Sequence, residues 1–211
     1  MTQTFALFPL QLVVYPGEQL NLHIFEDRYR QLVDDADRED MSWLVPTVIP
    51  GGMRPTATEV TLSEIVTRYP SGEYDIRTTG GRVFFLEDFW DTLPGKLYPG
   101  GEASELEVDY SENPDLNAEI IDLTTRIYRR LNVDKKIRSV ARGFRTYDIA
   151  HYIGLTLDQE YQVLTLRSAY PRQKFLLDHL KSILPNVERN TDIKERAELN
   201  GHFKELVPPK F

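Results

Sequence analysis

The chain has 211 residues, 41% of them apolar, 27% charged and 11% aromatic, which is enough apolar material to fill a core and argues against disorder throughout. A formal net charge of −8 disfavours sequence-independent affinity for nucleic acid or anionic lipid, and the absence of cysteine removes disulfides, thiolate metal sites and cysteine nucleophiles together. No apolar run reaches the roughly 18 residues of a membrane span, and the opening MTQTFALFPLQL lacks the basic region of a secretory signal, so a cytoplasmic protein is expected.

In chain order, Leu10, Leu12 and Val14 alternate with Gln11 and Val13 until Tyr15-Pro16-Gly17 breaks the run, and Leu20, Leu22 and Ile24 alternate with Asn21 and His23. Both read as strands with one buried face. Phe25, Tyr29, Leu32, Val33 and Ala36 follow at helical spacing, and Trp43-Leu44-Val45 reads as a short buried strand. Ile49 to Pro55 is expected to be a mobile loop around a Gly-Gly pair. A hairpin is expected over Glu59–Tyr69 and Glu73–Thr79, ended by Gly80-Gly81, with a new strand over Arg82–Phe89. Pro94-Gly95 and Pro99-Gly100-Gly101 enclose a second loop, and Leu106, Val108 and Tyr110 alternate in a final strand. Many short strands, many turns and one helix predict a small, strongly bent or closed β-domain.

The spacing turns helical after Ser111–Pro114. Asn113 suits an N-cap and Pro114 the first helical position, ahead of a stripe of Leu116, Ile120, Leu123, Ile127 and Leu131. Thr146 is expected to cap a short helix stopping at Gly154, and Thr156 with Gln159 to form a capping box on a helix to about Arg167. Leu176, Leu177, Leu180, Ile183 and Leu184 make a last stripe, ended by Pro185, before a charged stretch with a short helix and a tail over Glu188–Phe211. The fold class is therefore α+β: a β-domain over residues 1–112, then a helical bundle over 113–211.

The opening residues carry more than periodicity. Phe8-Pro9-Leu10, Tyr15-Pro16-Gly17 and Leu22-His23-Ile24-Phe25-Glu26, with Arg28-Tyr29 behind, resemble the start of the Lon protease amino-terminal domain family in order and spacing. Looser matches include Gly80-Gly81-Arg82 with Phe84, Asp148-Ile149-Ala150, and Gln173-Lys174-Phe175-Leu176-Leu177, so that the resemblance covers most of residues 5–185. Asp27 departs from a usual proline, and residues 96–106 match poorly. The resemblance implies a PUA-like β-domain and a helical bundle, substrate recruitment and oligomer assembly, and no catalysis. A stand-alone member without motor or protease is expected. His23, Glu26 and Arg28 read as residues that hold the fold, with Arg28 expected to pair with a carboxylate of the sheet.

Chemistry for an enzyme is missing from the sequence. Gly95-Lys96 is followed by Leu97 and is no phosphate-binding loop, and no Ser sits in a Gly-x-Ser-x-Gly elbow. The histidines at 23, 151, 179 and 202 share no ligand spacing, and the acidic run Asp34, Asp35, Asp37, Glu39, Asp40 lacks the glycine of a calcium loop. No cofactor and no metal are expected. Two surfaces remain. Met53 and Tyr98, in the two glycine-rich loops, are candidates for contact with unfolded or partly folded polypeptide. Arg126, Arg129, Arg130, Lys135, Lys136, Arg138, Arg142 and Arg145 fall within twenty residues against the single acid Asp134. That run is either a solvated face or a docking surface for a protein partner, with nucleic acid disfavoured. A recognition module for exposed apolar polypeptide, an assembly adaptor with self-association, and an enzyme with an unrecognised site are the readings left open.

Overall fold

Strand period and close glycine contacts together explain the architecture of residues 1–107. The strands are β1 (Thr2–Leu7), β2 (Gln19–Ile24), β3 (Trp43–Ile49), β4 (Gly52–Arg68), β5 (Tyr74–Trp90) and β6 (Gly100–Leu106), with helix α1 (Asp27–Glu39) between β2 and β3. In this computed structural model residues 1–187 are described; the expected charged tail from Glu188 lies outside them. The chain divides into one unit of Met1–Glu107 and a second from Val108 on.

The first unit is a closed barrel. Going round it, β1 pairs with β3 in parallel, and β3–β4, β4–β5, β5–β6 and β6–β1 are antiparallel; β2 adds to the outer half of β5. Each barrel strand sends residues inward: Phe5 and Leu7, Leu44, Ala57, Phe84 and Leu86, and Ala103 form the interior, with Met53 packed at its end. A second core lies between the barrel wall and α1, where Tyr29, Leu32, Val33 and Ala36 meet Phe8, Trp43, Val45 and Tyr98. β3 is buried at every position because it faces both cores, which hides its period of two.

Several expectations change here. The Leu10–Val14 alternation is no strand: Leu12, Val13, Val14 and Tyr15 are all buried, and only Leu10 makes an isolated bridge, to Thr47. This segment instead crosses β5 at Gly80, whose amide donates to the Glu18 carbonyl at 2.8 Å and whose carbonyl accepts from Gly17. A Cβ at Gly80 would lie 2.4 Å from the Tyr15 carbonyl oxygen. The glycine therefore permits a close crossing rather than ending a strand, and β5 continues unbroken through it. Gly51 and Gly52, at φ +101° and +116°, make the tight β3–β4 turn, so Met53 and Arg54 are strand residues and not part of a mobile loop. Gly100 and Gly101 likewise begin β6, and Val108 and Tyr110 lie beyond its end. Phe25 is 36% exposed and does not join the buried face of α1.

In the second unit, α2 (Pro114–Leu131), α3 (Leu157–Thr165) and α4 (Ala169–Val187) are joined by short 3-10 turns at Val140–Arg142, Thr146–Asp148 and Ala150–Tyr152. Asn113 caps α2 by accepting from the amides of Asp115 at 2.8 Å and Leu116 at 3.2 Å. Thr156 and Gln159 form the reciprocal capping box. The expected stripe of α2 is buried from Ile120 through Leu131, whereas Leu116 is half-exposed. α4 runs past Pro185 to Val187 instead of stopping there. Thr146 caps nothing. It is fully buried and donates its hydroxyl to Glu112 at 2.5 Å, within a network around Arg172.

Candidate functional site

One end of the barrel opens into a groove of about 660 Å³. Its floor is Leu7, Pro9 and Pro99, where β1 ends and β6 is about to begin. The walls are Met53, just past the β3–β4 turn, and Phe89 and Trp90 at the end of β5; Arg28 and Asp91 stand at the rim. Phe89 is 53% and Trp90 36% exposed, a large apolar surface for adjacent residues on one strand, while Met53 is half-buried against the barrel interior. The groove thus has an apolar floor continuous with the core, and adaptable walls of methionine and two aromatics.

Neighbouring polar groups hold it in shape. Arg28 directs Nε and Nη2 to one oxygen of Glu26, each at 3.0 Å, and lies 4.5 Å over the Tyr29 ring. It pairs with its helix-entry neighbour rather than with the sheet, because the first turn of α1 brings the two side chains together. Tyr29 stacks on Phe8 with ring centroids 4.1 Å apart, and burial pushes its phenol up to about 12.

The two residues singled out from the sequence for polypeptide contact part company. Met53 lines the groove. Tyr98 is 1% exposed and belongs to the core under α1, so it offers no surface to a ligand. Its hydroxyl donates to Asp35 at 2.8 Å, and Lys96 Nζ reaches the same carboxylate at 2.7 Å. Burial raises the Tyr98 pKa to about 12, helped by the Asp35 carboxylate. Burial also works to raise Asp35, but hydrogen bonds from Lys96, Tyr98 and Arg38 outweigh it and hold its carboxyl below the usual range. This anchor ties the loop before β6 to the helix. Phe89 and Trp90 were not singled out as site residues from the sequence; the available signal was a run of aromatics, Phe84, Phe85, Phe89 and Trp90, too dense for one buried strand face.

The basic run lies in the second unit and every member is exposed. Arg126 is 3.9 Å from Asp122, Arg138 is 3.6 Å from Asp148, Lys135 sits 3.2 Å over the Tyr152 ring and Arg145 4.5 Å over that of Tyr110. Arg129, Arg130, Lys136 and Arg142 have no acidic partner among the described residues. Arg129 and Arg130 occupy the last turn of α2, where the helix carbonyls favour positive charge. Among the described residues no group of three or more His, Asp or Glu is arranged to hold a metal ion, and no helix is long and apolar enough to cross a membrane.

A five-stranded closed barrel with one helix across its wall, followed by a helical unit, is the fold of Lon protease amino-terminal domains, and the resemblance seen in residues 8–29 is borne out at the level of structure. A crystal structure of a Lon N-terminal domain protein from Xanthomonas campestris is similar with a TM-score of 0.65 at 24% identity, over 83% of this chain and 98% of that one. The N-terminal domain of the Mycobacterium avium complex Lon protease is similar with a TM-score of 0.61 at 15% identity, over 85% of this chain and 98% of that one. No family model and no curated protein sequence matches the chain.

Proposed function

We propose that this chain is a non-catalytic recognition module that binds exposed apolar stretches of polypeptide in the groove at the barrel end. The observation that carries this reading is the pair Phe89 and Trp90, left open to solvent beside Met53 over an apolar floor. The fold shared with Lon amino-terminal domains supports it. Burial of such rings contributes roughly 25 cal/mol per Å² of apolar area, offset by the ordering of a flexible ligand, so affinities of about micromolar strength are expected. Fluorescence anisotropy with short overlapping peptides from reduced, carboxymethylated α-lactalbumin tests it. Some peptides bind, and Trp90→Ala weakens them by roughly tenfold, in the range of an aromatic anchor. No binding by any peptide at high micromolar concentration refutes the proposal.

A second reading rests on the basic face. Four exposed cations without acidic partners in the described residues support docking of an acidic protein partner. Arg129→Glu with Arg130→Glu then abolishes a salt-sensitive partner interaction and leaves peptide binding in the groove unchanged.

A further inference from the structure

The groove lies where a strand pair comes apart. β4 and β5 are registered from Arg68↔Tyr74 at their hairpin to Thr56↔Phe85, and no further. Beyond that point β4 pairs only with β3, through Val48↔Met53 and Ile49↔Gly52, and β5 pairs only with β6, through Leu86↔Ala103 to Trp90↔Gly100. The segment Leu86–Trp90 therefore has one edge with no strand beside it among the described residues, and its last two residues, Phe89 and Trp90, form part of the groove wall. One of its amides is already diverted: the Phe89 N–H donates to the Asp88 carboxylate at 2.8 Å. An amide given to an exposed side chain is one not committed to a neighbouring strand.

Charge narrows what fits. Glu87, Asp88 and Asp91 are all exposed on this stretch of chain, and Arg28, the cation lining the groove, is neutralised by Glu26. Residues 1–107 as a whole hold acidic side chains in more than twofold excess over basic ones. We infer that the open edge of β5 accepts an extended, net-basic polypeptide segment as an added strand, its apolar side chains entering the groove between Met53 and Trp90. The inference rests on the recognition reading above and names the ligand class and the mode. Main-chain hydrogen bonds supply affinity without regard to sequence, and alternate side chains supply preference. Five residues of edge correspond to roughly 17 Å of ligand backbone.

The test uses the full chain and the tightest peptide from the α-lactalbumin set, resynthesised with single N-methyl groups along its length. Strand addition predicts a period of two: methylation weakens binding by roughly tenfold at every second position and hardly at all between, since only alternate amides face the edge. Phe89→Pro, which removes the diverted amide, abolishes binding, and the methyl series stands as the readout if that variant does not fold. Replacing the peptide's lysines by glutamate weakens it further, and the loss shrinks at high salt. A peptide that binds but shows no alternation overturns strand addition while leaving groove recognition in place. Tighter binding of the glutamate version, or displacement of the peptide by single-stranded oligonucleotide, overturns the choice of a basic segment. Failure of every peptide to bind overturns both proposals together.

Discussion

Arg172 is the most completely buried cation in the described chain, and its removal offers a sharp test of how the helical unit is held. Its guanidinium lies 3.1 Å from Glu112, donates from Nε to Thr146 Oγ1 at 2.9 Å, and reaches the carbonyls of Leu166 at 3.0 Å and Asp109 at 2.9 Å. Glu112 in turn accepts from the Thr146 hydroxyl and amide and from Asn117. Arg172→Met keeps most of the stem but strands a carboxylate whose side chain is 4% exposed, along with carbonyls that have lost their donor. Breaking one side of such a pair costs about 3–5 kcal/mol, against roughly 5–15 kcal/mol for the stability of a whole domain. With a urea dependence of about 2 kcal/mol per molar, the unfolding midpoint falls by roughly 2 M. Urea titration followed by far-ultraviolet circular dichroism measures it. Pairing Arg172→Met with Glu112→Leu restores much of the loss, because the orphaned charge is gone. A midpoint shift under about 0.3 M for the single variant, or a double variant less stable than the single, refutes this account of the network.

Three further outcomes follow from geometry already described. Gly80→Ala places a methyl 2.4 Å from the Tyr15 carbonyl oxygen and costs about 1–3 kcal/mol of overpacking, seen as a lower thermal midpoint with the fold retained. Asn113→Ala removes acceptance from two amides and costs about 1 kcal/mol, whereas Asn113→Gly costs only a few tenths; chemical denaturation separates them. His179 is pushed below the ordinary imidazole value of 6.5 by burial, partly offset by its hydrogen bond to the Ile153 carbonyl. Folding favours its neutral form, so its contribution is complete above the ordinary value and is lost as pH falls through the lowered one. His179→Gln flattens that part of the stability profile between neutral and mildly acidic pH, and an unchanged profile counts against it.

What could be read from the residues was what is decided locally. The cap at Asn113, the box at Thr156 and Gln159, and the period-two pattern of Leu20, Leu22 and Ile24 all involve partners within a few positions, and all stand as expected. The differences arise where the deciding partner is distant. Gly80 resembles a terminator until Tyr15 is found against it, and Tyr98 resembles an adaptable loop residue until Asp35, on the helix, takes its hydroxyl. Thr146 has the residue type of a cap, but Glu112 and Arg172 claim it. The candidate groove was legible only through Met53, since its aromatic wall exists because β4 and β5 diverge, and registers are not visible in a single sequence.

The route by which the barrel closes has a consequence for its biosynthesis. β1 occupies residues 2–7 and is clasped on one side by β3 and on the other by β6, which ends at Leu106. At translation speeds of about 5–20 residues per second, β1, made before the other strands of the barrel, waits roughly 5–20 s for its final neighbour. Throughout that wait an apolar segment, Phe5-Ala6-Leu7-Phe8, has an unsatisfied hydrogen-bonding edge. Until β6 is made, that edge is open to pairing with other chains, so slowing translation just before β6 is expected to raise the aggregated fraction.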